Sequence, residues 1–301
     1  MAADTRPLIL VTGGTGTLGT LTTRLLIDTG HRVRVMARTQ SKADDLKKRG
    51  ASIVKGDLRD PESLEFALRG VTTVISSTHS ILGKGESSIE LVDDEGQRSL
   101  MEMAKQAGVS HFIYMSAFGA ALDHPVDFWQ TKARMERFLR DSGLSFTIIR
   151  PTAFMEFHAY ELIGKFVESG KRVMMFGSGK NPRNFVSARD VAKLVVAAVD
   201  DPKMRGEVIE IGGPENLSVN QVADIFSRVS GKKAKVTHLP LAAGRAASAA
   251  MHGVHPGVSR VIKLAVLSET TDQKFDASSL AAKYPIKLTA LEDWARKKYT
   301  S

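Results

Sequence analysis

The sequence has no cysteine among its 301 residues. This absence excludes disulfide bonds, thiolate catalysis and cysteine-ligated metals. No apolar run approaches the length of a membrane-spanning helix, and no Gly-x-Ser-x-Gly nucleophile elbow occurs. His252 and His255 are close in sequence but lack a convincing third ligand for a metal. We therefore expect no metal site, no membrane partner and a cytoplasmic location.

Acidic residues are fewer than basic ones, and the formal net charge is +9. A basic excess can indicate a nucleic-acid partner. Here the basic residues are scattered over many predicted helices with acids among them, and the short basic runs are typical of solvated helix ends. We predict no nucleic-acid partner. An anionic small ligand would account for part of the excess charge.

Strand-like and helix-like segments alternate through the first half of the chain. The predicted strands are 7–12, 31–37, 51–55, 71–76, 111–116 and 145–149. The predicted helices are 18–29, 41–49, 61–69, 90–107 and 127–141. Asp60-Pro61 is typical of an N-cap followed by proline in the first helical turn. The alternation indicates repeated βαβ units and an α/β fold with a doubly wound parallel sheet.

The pattern changes after Arg150-Pro151, where residues 152–182 are rich in Phe and Met. We predict a dinucleotide-binding Rossmann domain over residues 1–155, with its sheet completed by about 183–212. A smaller mixed α/β domain, for a substrate or a partner, is predicted over 156–301 and is interleaved with the first.

The segment from Leu8 to Gly19 is typical of a diphosphate site. A strand-like apolar run leads into closely spaced glycines, and these lead into a helical pattern. Glycine lets the backbone approach an anion closely, and the N–H groups and dipole of a first helical turn attract it. An ordinary flexible loop is the alternative interpretation. The predicted binding residues are Gly13, Gly16, Thr17, Leu18 and Gly19.

The end of the second predicted strand discriminates between NAD and NADP in such folds. An acid there binds the ribose 2′-hydroxyl, whereas a basic residue accommodates a 2′-phosphate. Arg38 stands at this strand end, Lys42 lies just beyond it, and no acid occurs before Asp44. Arg38 as an ordinary exposed loop arginine is the alternative. We predict NADP(H) as the cofactor in preference to NAD(H).

Asp57 and Leu58 follow the third predicted strand. An acid at that position can accept a hydrogen bond from an adenine amino group, while the next backbone N–H reaches a ring nitrogen. An aspartate that only caps a turn is the alternative.

These residues resemble the atypical and extended short-chain dehydrogenase/reductase superfamily, and within it the NmrA-like NAD(P)-binding branch with its isoflavone-reductase-like and quinone-reductase-like relatives. The resemblance covers residues from about 7 to 230. The branch includes reductases, isomerases and nucleotide-sensing regulators. The matching landmarks are residues 12–19, Arg38, Gly56-Asp57-Leu58, residues 105–109, residues 112–116, Lys132, Arg150-Pro151 and residues 189–192.

The resemblance implies a catalytic arrangement from which this sequence departs at one position. Typical members use a serine at the end of the fifth strand and a Tyr-x-x-x-Lys pair, whose spacing puts both side chains on one helix face. Ser116 and Lys132 match the serine and the lysine, but Phe128 stands at the tyrosine position. The tyrosine proton relay is therefore excluded. Lys132 either performs acid–base chemistry or binds the nicotinamide ribose without proton transfer. Ser116 either binds a substrate carbonyl or is a turn residue.

The resemblance also indicates which other residues border the substrate. His79 follows the fourth predicted strand in a loop beside the nicotinamide, and Phe154 and His158 lie in the segment after Arg150-Pro151. Together with Phe128 they are candidate pocket residues, with ordinary wall or surface positions as the alternative. The Phe and Met residues around them favour an apolar substrate.

The leading hypothesis is an oxidoreductase that transfers hydride from NADPH to a carbonyl, quinone or activated double bond of an apolar small molecule, as a monomer or homodimer. The second hypothesis is an NADP(H)-sensing regulator or assembly protein without catalysis, which Phe128 supports. An epimerase or dehydratase with tightly held NAD is a third, against which Arg38 and Phe128 both count.

Overall fold

The computed structural model describes residues 6–300. The chain forms two compact units, each made of two segments. The first contains the described residues up to Arg150 together with Val191–Ile209, and the second contains Pro151–Asp190 and the described residues from Glu210 onwards. The predicted domain boundary near residue 155, and a substrate or partner role for the second unit, stay predictions.

A seven-stranded sheet forms the centre of the α/β fold. Its first six strands are β1 (Leu8–Thr12), β2 (Arg32–Ala37), β3 (Ser52–Lys55), β4 (Val71–Ser76), β5 (His111–Met115) and β6 (Phe146–Pro151). They are arranged in the order β6-β5-β4-β1-β2-β3, and each adjacent pair is parallel. The predicted fold class is confirmed.

Helices connect these strands and cover the sheet. They are α1 (Thr17–Asp28), α2 (Asp44–Lys48), α3 (Pro61–Leu68), α4 (Gly96–Gln106) and α5 (Asp127–Asp141). The predicted helix over 90–107 differs from the structure in one respect, because a π-helical segment, Glu90–Glu95, precedes α4. The Asp60 carboxylate accepts hydrogen bonds from the backbone N–H groups of Glu62 and Ser63, so it caps α3 as predicted.

The second unit has small sheets of its own. Its strands include β7 (Ala153–Phe154), β8 (Arg172–Phe176) and β9 (Arg183–Val186), followed along the chain by α7 (Ala188–Asp200) and β10 (Val208–Ile211), with α6 (Lys165–Glu168) before β8. Strand β10 is the edge strand of the large sheet next to β6, whereas β9 pairs with β7. Only the later part of the predicted 183–212 segment therefore completes the large sheet.

The remaining elements follow β10. They are β11 (Asn216–Leu217), α8 (Val219–Ser230), β12 (Lys235–Leu239), α9 (Leu241–His252), α10 (Pro256–Leu267), α11 (Ala277–Lys283) and α12 (Leu291–Thr300). Strand β11 joins β9 and β7, and β12 pairs with β8. A π-helical segment, Met155–Gly164, contributes to the apolar core of this unit together with Phe226 of α8. Among residues 6–300, no helix is both long and apolar enough to cross a membrane.

Candidate functional site

A cleft in the first unit lies at the carboxyl ends of β1 to β4. The strand order reverses between β1 and β4, and such switch points are where open parallel sheets bind ligands. Several predicted cofactor or pocket residues line the cleft: Gly13, Gly16, Arg38, Asp57, Leu58 and His79. Among the residues that the structure describes, those lining the cleft do not include Ser116, Phe128 and Lys132.

The turn between β1 and α1 is built so closely that it requires glycine. Gly13 has φ +70°, and a Cβ there would lie 2.8 Å from the backbone carbon of Ser77. A Cβ at Gly19 would overlap the carbonyl oxygen of Gly13, so this glycine allows α1 to pack against the turn. Helix α1 begins with no side-chain cap and no acid in its first turn. Its first N–H groups, including those of Thr17 and Leu18, are therefore suited to an anion, and this turn fits a diphosphate.

Arg38 is exposed at the end of β2, where it lines the cleft. Its charge also reaches across to Asp57, whose pKa it helps to lower. The end of β2 thus presents a guanidinium group, which suits a phosphate better than a ribose hydroxyl.

Asp57 is held by Arg59, a residue that the sequence interpretation missed. The Asp57 carboxylate accepts hydrogen bonds from Nε and Nη2 of Arg59 at 3.0 and 2.8 Å, and from its backbone N–H at 3.0 Å. The Arg59 side chain is the largest cause of the lowered pKa of Asp57. Asp57 is therefore an ionised, fixed acceptor at the cleft, and it also closes a local turn. Both interpretations of Asp57 are compatible with this geometry.

Lys132 is enclosed by protein on every side, and only 3% of its side chain is exposed. Its Nζ lies 3.4 Å from Oδ1 of Asp93 and donates to the carbonyl oxygen of Met115 at 3.2 Å. The ring centres of Tyr114 and Phe128 lie 4.9 and 5.2 Å from Nζ. Burial lowers the pKa of Lys132, and the charge of Asp93 opposes this effect. Lys132 is thus a partnered, buried cation.

Phe128 packs beside the ammonium group of Lys132, 5.2 Å from ring centre to Nζ. It lies one helical turn before Lys132 on α5 and is buried. Its ring also neighbours His79, whose ring centre is 6.1 Å away in an edge-to-face arrangement. His79 is exposed at the cleft, and partial desolvation by the surrounding protein, followed by the charge of Lys132, lowers the pKa of its imidazole. The part of His79 that faces the open cleft therefore presents a neutral imidazole near pH 7.

Ser116 is buried, and its hydroxyl donates to a carboxylate on α5. Its Oγ donates to Oε1 of Glu136 on α5 at 2.5 Å. Arg150 binds both oxygens of the same carboxylate at 2.8 and 2.7 Å, and Arg140 adds a contact at 3.1 Å. With its proton committed to Glu136, Ser116 can accept a hydrogen bond but is not arranged to donate one to a carbonyl.

Asp93 and Glu136 are two residues of this region that the sequence interpretation missed. Asp93 belongs to the acidic run Asp93-Asp94-Glu95, and such a run is typical of a solvated helix face. In the structure Asp93 is fully buried. Glu136 lies one helical turn after Lys132, and that spacing could have suggested a shared face with it.

Phe154 and His158 belong to the second unit. Phe154 is the last residue of β7 and pairs with Val186. His158 lies in the π-helical segment, half-buried, with its ring centre 5.1 Å from that of Phe157. Their predicted place at the substrate stays a prediction.

Comparison with protein families gives a match that covers most of the chain. The model of the NmrA-like family matches residues 5–276. An NAD(P)H azoreductase of Xenophilus azovorans is 32% identical over 81% of this chain and 81% of its own length. A photosystem II assembly factor of Synechocystis is 31% identical over 78% of this chain and 71% of its own length.

The similarity extends to a longer plant protein and to solved structures. The chloroplastic protein High Chlorophyll Fluorescence Phenotype 244 of Arabidopsis thaliana is 32% identical over 77% of this chain, and the match spans 58% of the plant protein. An NADPH-dependent quinone oxidoreductase of Escherichia coli, solved with NADPH, has a TM-score of 0.79. It is 23% identical and aligns over 97% of this chain and 99% of its own. NAD(P)H-dependent oxidoreductases, the predicted enzyme class, are thus among the similar proteins, and NADPH, the predicted cofactor, is bound in a structure with the same fold.

Proposed function

The chain belongs to the NmrA-like family, and we propose that it is an NADPH-dependent reductase that acts on an apolar, conjugated small molecule. The observation that carries this proposal is the cleft, which brings an uncapped helix N-terminus, Arg38 and Asp57 to one switch point of the sheet. In this proposal the N-terminus of α1 binds the diphosphate of NADPH, and Arg38 binds its 2′-phosphate. Asp57 and the backbone N–H of Leu58 bind the edge of the adenine ring. Bound NADPH would supply the hydride.

The protein side chains narrow the class of hydride acceptor. Reduction of a simple ketone produces an alkoxide, which needs a proton donor at the oxygen. Phe128 has no acidic proton, the Ser116 hydroxyl donates to Glu136, and Lys132 is buried beside Asp93. His79 lines the cleft, but the N–H of a neutral imidazole is a much weaker acid than a phenol. Quinones, azo groups and activated double bonds delocalise the charge that follows hydride, so water can deliver the proton later. We therefore favour these acceptors over simple ketones, and we assign Lys132 a role through its charge instead of proton transfer.

The similar proteins support this acceptor class. An NAD(P)H azoreductase and an NADPH-dependent quinone oxidoreductase both reduce conjugated acceptors, as their names state. A cytoplasmic location and a monomeric or homodimeric state remain predictions.

A second candidate is an NADP(H)-binding assembly or sensing protein without turnover. The observation that favours it is the enclosure of Lys132 beneath Phe128, and a photosystem II assembly factor is among the relatives. In that case the cleft would bind the nucleotide, and the nucleotide would stabilise the form that a protein partner recognises.

One experiment separates the two candidates. Purified protein is titrated with NADPH by fluorescence, and NADPH oxidation is then followed with a quinone, an azo dye, an enone and a simple ketone. The reductase proposal predicts binding together with turnover of the first three at rates well above the ketone. Binding without turnover of any acceptor supports the assembly or sensing candidate. Absence of NADPH binding refutes both.

A further inference from the structure

Asp93 connects the buried lysine to the wall of the cleft. Its carboxylate is fully buried. One oxygen, Oδ1, lies 3.4 Å from Nζ of Lys132, and the other, Oδ2, accepts a hydrogen bond from the backbone N–H of Ser80 at 2.7 Å. Ser80 is one of the residues that line the cleft. A single carboxylate therefore contacts both Lys132 and the loop after β4.

The π-helical segment before α4 presents Asp93 to this loop. Gln97, which follows Asp93 by about one helical turn, accepts a hydrogen bond from Ser76 Oγ at 2.7 Å and donates to the carbonyl oxygen of Thr78 at 3.3 Å. Asp93 and Gln97 thus hold the first residues of the loop, Gln97 at Thr78 and Asp93 at Ser80. Short π-helical segments inside helices are frequently found at functional sites.

The same loop also contacts the glycine turn. Ser77 donates to the carbonyl oxygen of Thr12 through both its backbone N–H and its hydroxyl, at 3.2 and 2.8 Å. A Cβ at Gly13 would collide with the backbone of Ser77. The loop that carries His79 is therefore held between the proposed diphosphate turn and Asp93.

We propose that Asp93 is a positioning residue, which fixes the charged group of Lys132 and the cleft-lining loop in one arrangement. This inference rests on the proposed function for the role of Lys132 at the cofactor, but the contact between the two side chains can be tested without it. Asp93 is fully buried, so in this proposal it acts through Lys132 and through Ser80.

Removal of the Asp93 charge would change the protonation of Lys132 in a defined direction. The other titratable groups that face Lys132 are His79 from the loop, Tyr114 from β5 and Glu136 from its own helix. Asp93 is the acid at ion-pair distance. Without its charge, a buried ammonium loses its main compensation, so the neutral amine becomes populated at lower pH.

The first test is a double-mutant cycle in denaturant unfolding with Asp93→Asn, Lys132→Met and the double variant. An asparagine can still accept from the Ser80 N–H, so Asp93→Asn removes mainly the charge. If the pair is coupled, the midpoint shift of the double variant is smaller than the sum of the two single shifts. Additive shifts would overturn the proposal. The matched control is Asp94→Asn, which removes a neighbouring acid that pairs with Arg98 and Arg134.

The second test is the pH dependence of NADPH oxidation. In Asp93→Asn the alkaline limb of kcat/KM moves to lower pH, because the neutral amine of Lys132 forms at lower pH, while Asp94→Asn follows the unmodified protein. An unchanged profile in Asp93→Asn would contradict the proposal, because a merely structural role lowers the amount of folded protein without moving the limb. If the protein has no turnover, the proposed function fails and the unfolding cycle still decides on Asp93.

Discussion

Replacement of Arg38 by alanine tests the assignment of the 2′-phosphate site. Arg38 is exposed at the end of β2 and lines the cleft. A hydrogen bond to a charged group contributes about 1.5–3 kcal/mol, and for an exposed side chain we expect the lower part of that range. About 1.5 kcal/mol corresponds to roughly a tenfold change in affinity. Arg38→Ala is therefore expected to raise the Kd for NADPH about tenfold.

The same substitution leaves the adenine and diphosphate contacts in place. Arg59 is the main cause of the lowered pKa of Asp57, and Arg38 contributes least among the causes, so Asp57 stays ionised in the variant. The Kd for NADH is therefore expected to stay unchanged, because NADH has no 2′-phosphate.

The assay is a pair of fluorescence titrations, with NADPH and with NADH, on the unmodified protein and each variant. Lys48→Ala is the control for net charge, because Lys48 is exposed on α2 and its loss removes the same charge. Equal weakening of NADPH and NADH by Arg38→Ala would refute the assignment. If Lys48→Ala raises the Kd for NADPH as much as Arg38→Ala does, the assignment is refuted as well. That result would show that NADPH affinity depends on the net charge of the protein instead of on a contact with Arg38.

Two further predictions concern proton chemistry. Phe128→Tyr places a phenol beside Lys132. It is expected to raise the turnover of a simple ketone about tenfold or more relative to that of a quinone. An unchanged ratio of ketone to quinone turnover would contradict the inference that the lack of a proton donor determines which acceptors are reduced. Burial, followed by the charge of Arg205, lowers the pKa of His111 to about 4 from 6.5. The unfolded chain therefore binds more protons between pH 4 and 6.5, and stability falls by about 3 kcal/mol as pH falls through this window. His111→Gln, with exposed His252→Gln as control, should flatten that part of the unfolding free energy against pH; a slope that persists would contradict the assignment.

The order of elements in the first unit could be predicted because it depends on local sequence. The observed β2, Arg32–Ala37, differs from the predicted 31–37 by one residue, and α5, Asp127–Asp141, agrees with the predicted 127–141. Apolar runs and cap residues determine strands and helices over a few positions, so these elements can be predicted without knowledge of the tertiary structure. The predicted family is confirmed by a match over residues 5–276.

The partners of the candidate site residues could not be predicted in the same way. Lys132 is a candidate through the family resemblance, but the resemblance does not indicate its ion-pair partner Asp93, which lies on another helical segment. The neighbours of Asp93 in sequence, Asp94 and Glu95, suggest a solvated surface. Burial of Asp93 follows from the π-helical segment, which turns one acid of that run inward while Asp94 pairs with arginines. No periodicity indicates such a segment in advance.

The enclosure of Lys132 also changes what the missing tyrosine means. Without a phenol at position 128, the apolar ring of Phe128 packs over the ammonium group, 5.2 Å from its centre. An ammonium in that position needs a counter-charge, and Asp93 provides it at 3.4 Å. Phe128 and the Lys132–Asp93 ion pair are therefore parts of one arrangement. In the tyrosine-containing members of the superfamily the lysine assists the tyrosine, whereas here Lys132 is a fixed buried charge. Phe128→Tyr combined with Asp93→Asn should then reduce a simple ketone more slowly than Phe128→Tyr alone, because loss of the counter-charge lowers the pKa of Lys132 and a neutral amine does not assist the phenol; equal rates in the two variants, measured at the same pH, would contradict this argument.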